Sequence, residues 1–157
     1  MIDPKTYLRP VVIALSLISC MFASSTAQLY TMSEALAAVR QVETGGEPNG
    51  GIGSVGDNGN ALGPFQIHRG YHTDAAERDS TLNDYQSCLD SLDYSERVVK
   101  AYWGRYARAA AGRLSRGKGT LADVERVARI HNGGPKGHKK KATEKYWRKV
   151  LKALTDG

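Results

Sequence analysis

The stretch from Val42 to His68, VETGGEPNGGIGSVGDNGNALGPFQIH, is so dense in glycine, asparagine and aspartate that little of it can be core or regular helix. Any fold for this chain has to build an irregular wall from it, with GDNG at residues 56–59 as the strongest turn signal and a short hairpin as the natural product. Three acids stand on that wall, Glu43, Glu47 and Asp57, of which the first and last bear on chemistry. Glu43 opens it and Asp57 sits inside the turn.

The remainder reads as helix. Thr31-Met-Ser-Glu34 has the form of a capping box, Leu36, Val39 and Val42 continue at helical spacing, and Gly45-Gly46 stops the run almost at Glu43. Residues 82–92 predict a short helix and 95–111 the longest, with Val98, Val99, Tyr102, Tyr106 and Ala109 on one stripe and Gly112 as its stop. Thr120-Leu-Ala-Asp123 opens another that runs to Ile130, and 143–154 closes the chain with Tyr146, Trp147, Val150, Leu151 and Leu154 facing inward. Trp103 and Trp147 lie on apolar stripes and belong in the core. The expected fold class is mainly α with some α+β character, a small helical domain carrying a Gly-rich β-hairpin region.

At 157 residues, 41% hydrophobic and 24% charged, the chain has the profile of one globular domain with a modest core. Residues 1–27 stand apart, because Lys5 and Arg9 precede an apolar run over 11–23 that ends in Ser24, Ser25, Thr26 and Ala27. That order is a secretory signal peptide. The run is shorter than the roughly 20 residues of a membrane span, so cleavage near Ala27 and export are expected, leaving 28–157 as the working domain in an extracellular, periplasmic or lysosomal space. The alternative within Leu17-Ile18-Ser19-Cys20 is a lipoprotein signal, with Cys20 as the lipidated first residue. Without Cys20 the mature chain keeps only Cys88, which has no internal partner and reads as a small buried apolar residue.

The net charge of +6 calls for an anionic partner. Basic residues gather in KGHKKKATEKYWRK, 136–149, without the interleaved aromatics that would stack nucleic acid. An acidic cell envelope or polysaccharide is the expected partner, with no nucleic acid, no stable membrane insertion, no cofactor and a monomeric chain. His68, His72 and Asp74 offer His-x₃-His beside an acid, but zinc normally takes a third protein ligand, so no metal is expected.

A carboxylate in a helix's last turn meets the negative end of the macrodipole, which favours a protonated Glu43, and apolar neighbours add to this. Asp57, among backbone N–H groups and water, stays ionised. Two acids separated in this way suit glycoside hydrolysis, one donating a proton to the leaving oxygen and one stabilising or attacking the sugar cation.

Three stretches sharpen that expectation: GPFQIHRGYHTDA (63–75), VVKAYWGRYARAAAG (98–112) and ARIHNGGPKGHKKKATEKYWRKVLKAL (128–154). They resemble the invertebrate-type lysozymes, the destabilase family, in which E-S-G ends a helix, an Asp-x-Gly turn leads into G-P-F-Q-I, and A-R-x-H-N-G-G-P-x-G precedes a last helix with Y-W-x-K-V. The counterparts here are Glu43-Thr44-Gly45, Asp57-Asn58-Gly59, Gly63 to Ile67, Ala128 to Gly137 and Tyr146 to Val150. The similarity covers nearly all of the mature chain. It implies a lysozyme-like fold and a muramidase that cleaves the β-1,4 bond between N-acetylmuramic acid and N-acetylglucosamine in bacterial peptidoglycan, with Glu43 as general acid and Asp57 as nucleophile or cation stabiliser.

The chain departs from the family in two respects. The interval from Asp57 to Gly63 is one residue shorter, and Leu62 and His138 fill positions where the family has cysteines, making this a disulfide-free branch that forgoes roughly 2 to 5 kcal/mol per bridge. Gln66 and Tyr71, following the Asp57 turn, are candidates to contact N-acetyl groups or stack on a sugar face; by resemblance His131 lines the cleft, orienting Glu43 or a sugar hydroxyl, and Asn132 and Gly133 belong to a substrate-contacting loop. Each has a structural alternative: hairpin support for Gln66, core packing for Tyr71, a backbone bond for His131 and helix termination for Asn132-Gly133. Three other activities stay open: a lytic transglycosylase that needs Glu43 alone, a basic envelope-binding or antimicrobial module without catalysis, and, more weakly, an isopeptidase, for which no serine lies beside a recognisable base.

Overall fold

A computed structural model describes residues 27–156 of the chain. Most of the expected leader, Cys20 included, lies outside them. Helix α1 spans Met32–Thr44, opened by the capping box: Glu34 N–H donates to Thr31 Oγ1 at 3.2 Å and Thr31 N–H to Glu34 Oε2 at 2.6 Å. Gly45, at φ 62°, closes it as anticipated. Strands β1 (Val55–Gly56), β2 (Ala61–Leu62) and β3 (Ile67–His68) form the hairpin region, an antiparallel sheet in that order with Gly56 opposite Ala61 and Ala61 opposite His68.

Helices α2 (Arg69–Ala76), α3 (Ser87–Asp90), α4 (Leu92–Tyr106), α5 (Arg108–Ser115), α6 (Leu121–Gly133) and α7 (Glu144–Asp156) follow. The centre of the domain is α4, whose Val98, Val99, Tyr102 and Trp103 are all buried. Around it pack Leu36 and Val39 of α1, Phe65 and Ile67 of the hairpin region, and Val124, Val127 and Ile130 of α6. Each such side chain contributes on the order of 1.5 to 3 kcal/mol by leaving water. Among the described residues no helix is long and apolar enough to cross a membrane.

The helical expectations need three corrections. Within the 82–92 segment only Ser87–Asp90 forms a helix before α4 begins at Leu92, because the Asp84 carboxylate accepts from Gln86 N–H at 3.0 Å and ties the chain into a turn, while Ser91 caps α4 through Tyr94 N–H at 3.2 Å. The long helix breaks at Ala107, φ −135° and ψ 38°, and resumes as α5 through Gly112, which stops nothing. That break turns Ala109 out to solvent and brings Ala110, Ala111 and Leu114 into the core. Helix α2 escaped notice because eight residues with a glycine carry little helical signal, and its stability comes from packing on α4.

Two contacts fix the hairpin region to the helices. Gly63 has φ +66°, and a Cβ there would lie 1.8 Å from the Cys88 carbonyl oxygen, so only glycine lets this turn approach α3. Cys88 itself is fully buried, and burial pushes its thiol up to about 12, which makes it the inert residue expected. Tyr85 places its hydroxyl 3.1 Å from the Asn60 carbonyl and 2.9 Å from that of Ile67, pinning β2 and β3 from outside.

The α5–α6 junction rests on buried Asp123, which accepts from Arg113 Nε at 2.9 Å and from Thr120 N–H at 2.9 Å. Arg113 and Thr120 outweigh burial and hold its carboxyl down at about 2, against an ordinary 3.8. A depressed carboxylate stabilises the fold fully above its unfolded value and loses that contribution as pH falls through its folded value. Because Arg113 is half-exposed and partly screened, the expected loss between pH 4 and pH 2 is at most about 2 kcal/mol. Melting curves across that window check it, and Asp123→Asn should flatten the dependence while lowering stability at neutral pH.

Candidate active site

Glu43 lies in the last turn of α1, with its side chain 17% exposed. Its Oε1 accepts a hydrogen bond from the Tyr146 hydroxyl of α7 at 2.6 Å, and His131 Nε2 of α6 stands 3.5 Å from the same oxygen. His131 is 5% exposed, and each of its nitrogens has a further neighbour: Nε2 the Phe65 carbonyl oxygen at 3.2 Å, Nδ1 the Tyr71 hydroxyl at 3.0 Å. A carbonyl oxygen can only accept, so Nε2 carries a proton, and in the neutral ring the Tyr71 hydroxyl donates to Nδ1. Tyr71 stacks on Tyr102 with ring centroids 3.6 Å apart, and Phe65 and Trp103 meet the imidazole edge-on, each at 6.3 Å. Thus α1, α2, α4, α6, α7 and the hairpin region converge on one carboxyl group.

The charge state differs from the one that the helix end suggested. Burial raises the Glu43 carboxyl, but the His131 ring, the Tyr146 hydroxyl and the charge of His68 together outweigh it and hold the group below its ordinary value. In the open site Glu43 is a carboxylate at neutral pH. The backbone dipole and burial at the helix end are outweighed here by polar neighbours, His131 and Tyr146, supplied from distant segments. Burial, neighbouring tyrosines and Glu43 itself push the Tyr71 and Tyr146 hydroxyls well above their ordinary range, so both remain protonated donors.

Asp57 follows β1 with φ 45°, and Asn58 follows it with φ 52°. Two successive non-glycine residues in the left-handed region cost of order 1 to 3 kcal/mol each, least for Asp and Asn. The Asp57 carbonyl accepts from Asn60 N–H at 3.1 Å and from its Nδ2 at 2.9 Å, which holds the turn. The carboxylate is open to water, 59% exposed, with His68 Nε2 at 3.8 Å. His68 projects from β3 opposite Ala61, and its charge also reaches Glu43. His68 is thus the residue that bears on both acids, 3.8 Å from the Asp57 carboxylate and among the groups that lower Glu43.

The other candidates divide. Tyr71 and His131 join Glu43 as described. Gln66, at φ 46°, donates from Nε2 to the Gly63 carbonyl at 3.0 Å and lies against Gly56, so its amide holds the hairpin region together. Asn132 is exposed in the last turn of α6. Gly133 is half-buried where a Cβ would come 2.5 Å from Thr143 Cγ2, and its carbonyl accepts from Lys140 Nζ at 2.6 Å. His72 meets the Tyr94 hydroxyl at 2.9 Å, whereas His68 stands beside Asp57. Among the described residues no group of three or more His, Cys, Asp and Glu could hold a metal ion.

Two site residues were missed in the sequence: Tyr146, assigned to the core stripe of the last helix, and His68, weighed only as a metal ligand. The last-helix Tyr-Trp pair and the histidine directly after G-P-F-Q-I were the available signals, and neither names a partner without the fold.

A family profile described as destabilase matches residues 34–153 of the chain. "Lysozyme 1" of Crassostrea virginica is 38% identical over 117 residues, covering 74% of this chain and 56% of the oyster protein, so the chain spans little more than half of that relative. "Invertebrate-type lysozyme 6" of Caenorhabditis elegans is 32% identical over 123 residues, covering 75% of this chain and 83% of the nematode protein. Among solved structures, a chain of the crystal structure of Aeromonas hydrophila PliI in complex with Meretrix lusoria lysozyme superposes with a TM-score of 0.58 at 30% identity, covering 78% of this chain and 89% of that one. With the family's motifs, its mainly helical fold and this extent of similarity in one chain, the protein belongs to the destabilase family, that of the invertebrate-type lysozymes.

Proposed function

We propose that this chain is a glycoside hydrolase of the muramidase type, exported after loss of residues 1–27, that cleaves the β-1,4 bond after N-acetylmuramic acid in bacterial peptidoglycan. The observation that supports it most is a part-buried carboxyl group, Glu43, held by Tyr146 of α7 and His131 of α6, with His68 linking it electrostatically to the open carboxylate of Asp57. Sugar in the cleft removes water from Glu43 and adds to the burial that already raises it, so the substrate itself makes the group a proton donor. Glu43 then protonates the glycosidic oxygen, the bond to the sugar carbon breaks with its electron pair going to that oxygen, and Asp57 stabilises the cation or bonds to it until water completes the hydrolysis. The basic surface of 136–149 holds the anionic wall near the cleft.

A second reading, a lytic transglycosylase, is favoured by the loose hold on Asp57, whose nearest charged partner is 3.8 Å away. Digestion of defined muropeptides with mass analysis of the products separates the two. Reducing-end N-acetylmuramic acid is expected; 1,6-anhydro ends would assign the transglycosylase, and intact glycan with cut peptide would remove both.

A further inference from the structure

The two oxygens of Glu43 are not equivalent. Oε1 accepts from the Tyr146 hydroxyl at 2.6 Å, within the range of a charge-assisted O–H···O⁻ bond, and also faces the protonated Nε2 of His131 at 3.5 Å. Tyr146 aims its hydrogen at this oxygen, while the His131 N–H, held by the Phe65 carbonyl, adds its positive end nearby. A proton added to Glu43 therefore goes to Oε2, since on Oε1 it would compete with the Tyr146 donor for the same lone pairs. We infer that Tyr146 is a positioning residue that makes Oε2 the oxygen from which the proton leaves, and that its hydroxyl steadies the carboxylate left behind; this rests on Glu43 being the acid.

In atoms, the Oε2–H proton moves to the glycosidic oxygen, the sugar carbon–oxygen bond breaks with its pair on the departing alcohol, and the negative charge returns to a carboxylate already bonded to Tyr146. The hydrogen bond to Tyr146 is stronger to that carboxylate than to the neutral acid, so it lowers the barrier as well as fixing the geometry. The hydroxyl remains a donor throughout, because burial and Glu43 hold it far above the range in which it would ionise. Half-buried and packed against the core, the ring needs no hydroxyl for that packing.

Tyr146→Phe keeps the ring and removes the donor. The expected result is a fall in kcat of about tenfold or more, the scale of one hydrogen bond to a charged group, with KM within about twofold and an unchanged circular dichroism spectrum. The alkaline limb of the rate profile should also move to higher pH, because a donor that lowers Glu43 is gone, a shift that a purely packing role would not give. Unchanged kcat and an unmoved limb in a folded Tyr146→Phe chain would overturn the inference, provided Glu43→Gln is inactive; an active Glu43→Gln would remove the proton-donor assignment itself. Should the phenylalanine chain fail to fold, 3-fluorotyrosine placed at 146 alone strengthens the donor at nearly equal volume. The limb should then move to lower pH, and a stationary limb would count against Tyr146.

Discussion

Glu43→Gln is expected to end clearing of a peptidoglycan suspension, with kcat/KM down by about 10²- to 10⁴-fold, the usual contribution of a general acid. The substitution is close to isosteric, and the amide oxygen can still accept from the Tyr146 hydroxyl, so the α1–α7 contact and the circular dichroism spectrum should survive. What disappears is the transferable proton. A module acting through its basic surface alone would keep its effect in this variant, so near-wild-type clearing by a folded Glu43→Gln chain would refute the catalytic assignment. The acid role also fixes a sign for pH. Rate should fall as pH rises through the substrate-bound value of Glu43, a value lifted by sugar from the depressed one of the open site.

Asp57→Asn should lower kcat/KM by about 10³-fold, roughly 4 kcal/mol of transition-state stabilisation, if the carboxylate bonds to or steadies the sugar cation. Its effect on the fold should be small, since the side chain is exposed and the turn is held by the Asp57 carbonyl and not by the carboxylate. Asparagine also tolerates the left-handed backbone of that position. A loss of only about tenfold or less would leave Glu43 acting alone and point to the anhydro-forming reaction. Proton NMR of the first anomer released adds a second readout, because retention requires carboxyl groups about 5 to 5.5 Å apart and inversion roughly 6.5 to 9.5 Å.

How far the chain could be read in advance depends on the range of the forces involved. Both capping boxes, the glycine stop beside Glu43 and the hairpin region were legible because each is decided by residues within a few positions of one another. The break at Ala107, the helix at 69–76 and the short turn around Cys88 were not. They follow from burial of Ala110, Ala111 and Leu114 beyond the break, from packing of 69–76 on α4 and from side-chain ties such as Asp84 to the Gln86 N–H, which outweigh weak local preference. Among the residues of the candidate site, Glu43, Asp57 and His131 as an orienter of Glu43 could be proposed from family motifs and turn chemistry, while Tyr146 and His68 could not.

The amino-acid sequence by itself determined the family, the helical character and the irregular wall between Glu43 and Asp57. Only the tertiary structure decided the electrostatics of Glu43, because Tyr146 is 103 positions away along the chain and His131 touches Phe65 across 66. Helix dipole and local apolar neighbours can be read from adjacent residues. A hydrogen bond between the two ends of the domain exists only once packing has brought them together, and here that bond and its partners outweigh the local terms.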